Sequence, residues 1–106
     1  MAWIPDTSER VRFDARKMQK CNLFTTEHFF CDLYAFEPGQ EQTAHAHAGS
    51  DKVYFVLEGT LEIRLGEQTR TLGPRGAALA EAGVAHAVRN PGPGRALALV
   101  FLSPRP

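Results

Sequence analysis

The sequence predicts an all-β protein, a sandwich or a barrel, and three observations lead to this prediction. The segment Leu61–Leu65 alternates apolar and charged residues, which is the period of two that marks a strand with one wet face. Turn signals recur along the chain about 8–12 residues apart, a spacing typical of sandwiches and barrels. No segment qualifies as a long helix, because Gly76 precedes the alanine-rich stretch 77–87 and Gly83 interrupts it.

The elements follow from this pattern in chain order. Residues 1–20 are polar and mixed, with five basic against two acidic residues in the stretch 9–20, so they predict a solvated arm or edge segment. Residues 21–106 then form a single barrel domain. Its expected strands end at glycine- and proline-rich turns, and they are Phe29–Phe36, Glu41–Ala48, Lys52–Leu57, Leu61–Leu65 and Ala96–Leu102.

Composition narrows the class of protein. A chain of 106 residues holds one domain, and its 12 basic residues balance its 12 acidic ones, which disfavours general nucleic-acid binding. The longest apolar run is Ala96–Leu102, far short of the roughly 20 residues of a membrane helix. No secretory signal is visible, so we expect a cytoplasmic protein in which Cys21 and Cys31 are reduced thiols, unless a hairpin between them lets them pair.

Three of the four histidines form the pattern that carries chemistry. His45 and His47 stand two apart on a predicted strand, so both imidazoles should lie on the same face. His86 would join them if its strand lies beside the first. Neutral imidazole is a good ligand for zinc, copper, iron and nickel.

The surroundings of these histidines strengthen the metal hypothesis. Gly39 precedes His45-x-His47 by five residues, and Val56-Leu57-Glu58-Gly59 follows. A later stretch reads Ala82-Gly83-Val84-Ala85-His86, with Asn90 after three more residues. Together these stretches resemble the two sequence motifs of the cupin superfamily, in order and at matching spacing, over residues 33–102. The resemblance implies a double-stranded β-helix, or jelly-roll, barrel that often dimerises. It also implies a divalent metal held by His45, His47 and His86.

The chain departs from the cupin pattern at one telling position. The family's glutamate ligand falls at Lys52, and an ammonium about 4 Å from a unit positive charge costs roughly 4 kcal/mol at a surface-like dielectric. Three alternatives remain open. Lys52 turns away from a three-histidine metal site, or it is neutral and acts as a base, or the barrel holds an anion instead of a metal.

Alternate residues of a strand lie on the same face, so further side chains should lie on the inner faces of the strands beside the histidines. The resulting pocket candidates are Lys52, Thr43, Tyr54, Val56, Val88 and Asn90. The cofactor would be zinc, nickel, iron, manganese or copper, serving an oxygenase- or isomerase-like reaction on a small organic molecule. The alternatives are a non-enzymatic binding or sensor module and a metal-free barrel that binds an anion through Lys52. The fold leaves open whether the chain is an enzyme.

The same alignment predicts a second copy of the chain as a partner. Alternation alone would bury Val53, Phe55 and Leu57 and expose Lys52, whereas the cupin alignment turns Lys52 inward. Both patterns hold only if the outer face is also covered. We therefore expect a homodimer that packs through this outer stripe.

Overall fold

The computed structural model describes all 106 residues and contains nine strands in two antiparallel sheets. One short 3-10 helix, Thr7–Arg10, precedes them. The strands are β1 Gln19–Thr25, β2 Phe30–Phe36, β3 Glu41–His45, β4 Asp51–Glu58, β5 Leu61–Leu65, β6 Gln68–Leu72, β7 Ala77–Ala80, β8 His86–Arg89 and β9 Ala96–Ser103.

The two sheets divide the strands in a way that closes a core between them. One sheet has the order β1-β2-β9-β4-β7 and the other the order β3-β8-β5-β6. The largest core cluster draws on both, from Tyr54 and Val100 of the first sheet to Ile63 and Val88 of the second. The predicted all-β fold and its double-stranded β-helix form are therefore confirmed.

Most strand predictions lie within a few residues of the observed bounds, but one is wrong at a functional place. The strand expected to run to Ala48 ends at His45, so His47 lies in the following loop. The alanine-rich stretch 77–87 is divided between β7 and β8 by a turn at residues 81–85. Strand β1 begins at Gln19, inside the segment predicted as an arm.

Gly59 shows why the turn after β4 requires glycine. Its φ is +72°, in the left-handed region that L side chains rarely adopt. A Cβ added there would lie 2.3 Å from the carbonyl oxygen of Arg95. This close approach brings the end of β4 against the start of β9 and allows a tight reversal into β5.

The outer face of the five-stranded sheet is covered over only one half. Val11 and Phe13 of the N-terminal segment pack against Cys21, Leu33 and neighbouring residues of β1, β2 and β9. The other half is more open, although Phe29 packs against Phe101 there, and exposed apolar side chains gather on β4, β7 and β9. These residues are Val53, Phe55, Leu57, Leu79 and Phe101, at 36–49% exposure, and we call them the outer apolar face.

The two cysteines lie on one hairpin but do not face each other. Strands β1 and β2 pair with Cys21 opposite Leu33 and Cys31 opposite Phe24, across a register shift between Asn22 and Phe24. Both thiols are free. The pairing alternative is therefore excluded by the register of the hairpin.

The structure contains no helix that is long and apolar enough to cross a membrane.

Candidate metal centre

His45 and His86 meet because their strands are neighbours. Strands β3 and β8 are antiparallel and place these two residues directly opposite each other. His47 reaches the same point from the loop after β3. The ring centroids lie 4.3 Å apart for His45 and His86, 5.0 Å for His45 and His47, and 5.5 Å for His47 and His86.

The loops around His47 and His86 are tied to each other. The backbone N–H of Gly83 donates to the carbonyl oxygen of His47 at 2.7 Å. Gly83 itself has φ +84°, a conformation that glycine adopts without strain. The Asp51 carboxylate accepts a hydrogen bond from the backbone N–H of Ala82 at 2.8 Å. Asp51 therefore holds the turn that leads into His86 and takes no place among the imidazoles.

Hydrogen bonds to the backbone orient two of the three rings. Nδ1 of His45 lies 2.9 Å from the carbonyl oxygen of Thr43, and Nδ1 of His86 lies 2.9 Å from that of Val84. A carbonyl oxygen only accepts, so each Nδ1 carries the hydrogen and each Nε2 presents a lone pair. The two Nε2 atoms face each other at 3.1 Å. Two lone pairs at that distance repel unless a proton or a metal ion lies between them, so the two rings are arranged to share a cation.

The ligand atoms of all three histidines lie within 4.8 Å of one another. Burial lowers the pKa of His86, and it also lowers the pKa of His47, with nearby His45 and Lys52 adding to the shift. Both rings are therefore held in the neutral form that binds metals. Backbone carbonyls that hold the other ring nitrogen orient imidazole ligands in many metal proteins.

Lys52 lies inside the barrel and is only 1% exposed. Its Nζ donates to Oε1 of Gln42 at 3.0 Å. It also lies 5.0 Å from the ring centroid of Tyr34 and 5.2 Å from that of Tyr54, within cation–π range. The cupin alignment therefore predicts the inward direction of the Lys52 side chain correctly, whereas hydrophobic alternation predicts the opposite direction.

The charge of Lys52 is destabilised by its surroundings. Burial, and then the positive charge of Lys20, lower the pKa of Lys52 to about 8, while Asp32 opposes the shift. At neutral pH the group still carries its proton. Of the alternatives for Lys52, the structure favours a side chain that stays charged within the barrel and turns toward Gln42 and the tyrosines.

A cavity of about 570 Å³ opens beside the histidines. Its wall combines charged, polar and apolar side chains: Lys20, Asn22, Phe30, Asp32, Tyr34, Gln42, Thr43, His45, His47, Lys52, Val100, Leu102 and Pro106. His86 lies behind this wall at 2% exposure. The arrangement offers a metal-ligand set at one end of the cavity and two ammonium groups within it.

The predicted pocket residues divide between the cavity wall and its support. Lys52 and Thr43 line the cavity, whereas Val56 and Val88 belong to the hydrophobic core. The side chain of Asn90 binds backbone groups and does not line the cavity. It donates to the carbonyl of Gly94 and accepts from the N–H of Gly92 within its own turn, and it donates to the carbonyl of Phe36 at the end of β2.

Tyr54, the remaining predicted pocket residue, is fully buried in the core cluster beside Lys52. Its hydroxyl has no hydrogen-bond partner within the protein. It lies outside the cavity wall, so its phenol borders the site from behind.

Sequence reasoning missed the contribution of β1 and β2 to the cavity. Lys20 pairs with Tyr34 and Asn22 pairs with Asp32 across this hairpin, and all four side chains line the wall. The charge pattern places Lys20 in a solvated arm, so it does not predict the inward direction of this side chain. The register shift between Asn22 and Phe24 decides which face of β1 carries Lys20, so alternation through the hairpin does not predict it either.

Gln42 was missed for a different reason. The pairing of β3 with β8 shifts register between Gln42 and His45. This irregularity turns Gln42 and His45 to the same cavity although an odd number of positions separates them. A strict alternation along β3 cannot predict that.

The chain belongs to the cupin family. The family model for the Cupin domain matches residues 32–102, which include all three histidines and Lys52. This match agrees with the resemblance seen in the two sequence motifs. No curated protein matches the chain.

Solved structures with the same fold cover nearly the whole chain. The crystal structure of TT1209 from Thermus thermophilus is 47% identical, with a TM-score of 0.93, and the match covers 97% of this chain and 98% of that one. A conserved protein with a double-stranded β-helix domain from Klebsiella pneumoniae subsp. pneumoniae is 24% identical, with a TM-score of 0.88, over 95% and 84% of the two chains. KdgF from Halomonas sp. is 23% identical, with a TM-score of 0.86, over 100% and 96%.

Proposed function

We propose that His45, His47 and His86 bind one divalent transition metal. The observation that carries this proposal is the pair of Nε2 atoms at 3.1 Å, each fixed as a lone-pair donor by the carbonyl that holds its Nδ1. The His47 ligand atom lies within 4.8 Å of the other two. Three imidazole nitrogens suit zinc, nickel, iron or copper, and metal supply often decides among such ions.

We further propose that the cavity beside the metal holds a small organic molecule. Its volume of about 570 Å³ falls among those of small-molecule sites, which run from about 300 to 1,000 Å³. A bound metal would supply Lewis-acid or oxygen-activating chemistry there, which fits an oxygenase- or isomerase-like enzyme. His45 and His47 line the cavity directly, so a ligand bound in it would lie against two of the three imidazoles.

The second candidate function is a binding or sensor module that uses the same cavity without turnover. It shares every contact of the first candidate, so turnover of a bound compound separates the two. Metal-dependent turnover supports an enzyme, and saturable binding without turnover supports the module.

Elemental analysis of the purified, tag-free protein tests the metal proposal. We expect near-stoichiometric metal in the parent and loss of that metal in the His45→Ala/His86→Ala variant. His28→Ala is the matched control, because His28 is exposed and lies outside the cavity wall. It should retain the parent's metal content.

Two outcomes contradict the metal proposal. One is a parent that stays free of metal after incubation with zinc, nickel, iron(II), manganese and copper. The other is a metal content that does not differ between the parent and the double variant. The first outcome would favour the metal-free barrel that binds an anion through Lys52.

We also propose that the outer apolar face packs against a second copy of the chain. The face is contiguous, since Val53 of β4 pairs with Leu79 of β7 on one side and Phe101 of β9 on the other. One such face matches another in an isologous dimer, and a formal net charge of zero opposes association little.

Light scattering tests the proposed dimer. We expect a dimer at micromolar concentration and a monomer for Phe55→Thr/Leu79→Thr. Trp3→Thr changes an exposed apolar residue of the N-terminal segment and should stay dimeric. A monomeric parent, or a double variant that remains dimeric, would contradict the proposal.

A further inference from the structure

Two ammonium groups in the cavity share one aromatic ring. Nζ of Lys52 lies 5.0 Å from the ring centroid of Tyr34, and Nζ of Lys20 lies 5.6 Å from the same centroid. Lys20 is opposite Tyr34 in the β1–β2 hairpin, and Lys52 comes from β4 across the sheet. Two strands distant in sequence therefore bring two positive charges to one wall.

The protein neutralises these charges only in part. Lys52 donates one hydrogen bond, to the neutral Gln42 amide, and an ammonium has three donors. The ammonium group of Lys20 makes no hydrogen bond or ion pair. The acidic side chain of the cavity wall is Asp32, whose Oδ1 accepts a hydrogen bond from Asn22 at 2.7 Å. The charged side chains of the wall, Lys20, Lys52 and Asp32, therefore sum to one surplus positive charge when His45 and His47 are neutral.

A buried ammonium is costly unless an anion compensates it. Lys52 is 1% exposed, and its charge is unpaired by any carboxylate within hydrogen-bond distance. A negatively charged ligand would compensate the charge of the Lys52 ammonium. The free donors of Lys20 and Lys52 point to hydrogen bonds with that negative group.

We infer that the cavity selects a small organic carboxylate whose carboxylate group binds Lys52 and Lys20. The rest of the molecule then lies along the wall toward His45 and His47. Apart from the charge of a bound metal, the single surplus side-chain charge around the two lysines matches a monoanionic carboxylate better than a dianionic phosphate. This inference names the ligand class of the site in the proposed function and rests on that site, although the lysine contacts themselves need no metal.

Paired ligands of equal shape test the charge requirement. The probes are a panel of small hydroxy- and oxo-monocarboxylic acids, each beside its neutral amide, with inorganic phosphate as a further probe. Binding is followed by NMR titration into the millimolar range, on protein treated with chelator and on protein incubated with metal. We expect at least one acid to bind, more tightly than its amide and more tightly than phosphate.

Three lysine variants locate the carboxylate. Lys52→Met should weaken binding of the acid at least about tenfold, the loss expected for a charge-assisted hydrogen bond. Lys20→Gln should weaken it by a smaller factor, because Lys20 is more exposed. Lys17→Gln removes the same charge outside the cavity wall and should bind as the parent does. Circular dichroism and thermal melting establish that each variant is folded.

The inference is overturned if no acid binds, if acids and amides bind equally, if phosphate binds more tightly, or if Lys52→Met binds as the parent does. These results are separate from the metal result. Protein that holds metal but binds acids independently of Lys52 refutes the carboxylate site alone. Protein that holds no metal but binds acids through Lys52 refutes the metal proposal alone.

Discussion

The two faces of strand β4 are reversed relative to simple hydrophobic sorting. Lys52, Tyr54 and Val56 face the barrel interior at 0–1% exposure. Val53, Phe55 and Leu57 face outward at 36–38% exposure. The more apolar face is thus the exposed one, and the face with a lysine is the buried one. In a barrel that contains a binding site, the inner face carries the side chains that line or support the cavity. An exposed apolar outer face is typical of a surface that another molecule covers.

The neighbours of β4 explain why the reversal holds. Lys52 is flanked in the sheet by Ala80 of β7 and Leu102 of β9, and the register shift in the β3–β8 pair places Gln42 within reach of its ammonium. Turning β4 over would put Lys52 outside but would bring Phe55 and Leu57 into the cavity. The strand therefore keeps a charged side chain inside because Gln42 supplies an acceptor and Tyr34 and Tyr54, the latter from β4 itself, supply two aromatic rings.

Truncating one residue on each face gives the largest expected contrast. Tyr54→Ala empties a fully buried position and should lower the free energy of unfolding by about 3–5 kcal/mol. Phe55→Ala, its neighbour on the outer face, should cost about 1 kcal/mol in the monomer. Denaturant unfolding at several protein concentrations measures both. Equal costs at low protein concentration would contradict the difference between the two faces. A cost for Phe55→Ala that grows with protein concentration would support it, because a second copy then covers the outer apolar face.

The charge of Lys52 should destabilise the fold in a defined pH window. Its folded-state pKa is about 8 against an ordinary 10.5, so the unfolded chain binds the proton more tightly than the folded one. The resulting penalty of about 3 kcal/mol is fully present below pH 8 and is lost as pH rises to 10.5. We expect Lys52→Met to be more stable than the parent at neutral pH by up to that amount, in chelator-treated protein.

The measurement is the difference in unfolding free energy between parent and Lys52→Met as pH rises. Burial raises the pKa of Tyr34 to about 12 and raises that of Tyr54 as well, so stability of both proteins should fall at strongly alkaline pH. Taking the difference removes this shared effect. A difference that stays constant from pH 8 to 10.5 would contradict the assigned cause.

Restoring a carboxylate on the inner face should strengthen metal binding. Lys52→Glu removes a positive charge and places a negative one at the family's ligand position, so we expect metal affinity to rise at least about 100-fold. Lys52→Met removes the charge without adding a ligand, so its metal affinity should lie between those of the parent and Lys52→Glu. Competition with a chelator measures all three proteins, and an affinity for Lys52→Glu no higher than for Lys52→Met would contradict a metal near that position.

The smallest expected effect concerns the unpaired hydroxyl of Tyr54. Tyr54→Phe removes a buried polar group that has no partner and should raise the free energy of unfolding by about 1 kcal/mol. Thermal melting of the chelator-treated variant and parent gives the comparison. A loss of stability would show that the hydroxyl is hydrogen-bonded in solution, through a water or through a ligand carried along with the protein.

Local pattern accounted for much of the fold and for the metal candidates. Alternation in Leu61–Leu65 and the turn after Phe36 predicted strands that the structure contains, since period and turn chemistry act over neighbouring residues. The two motifs identified His45, His47 and His86, although the strand assigned to His47 was wrong.

What the sequence alone determined is therefore the fold class, the family and the identity of the three imidazoles, because these depend on residue spacing along the chain. What only the tertiary structure decided is the rest of the cavity: Lys20 and Asp32 beside Lys52, Gln42 turned inward by a register shift, and an outer apolar face left half covered. These features depend on how strands far apart in the chain pair with each other. Register and bulges are set by packing between strands, and no repeat within a single strand records them.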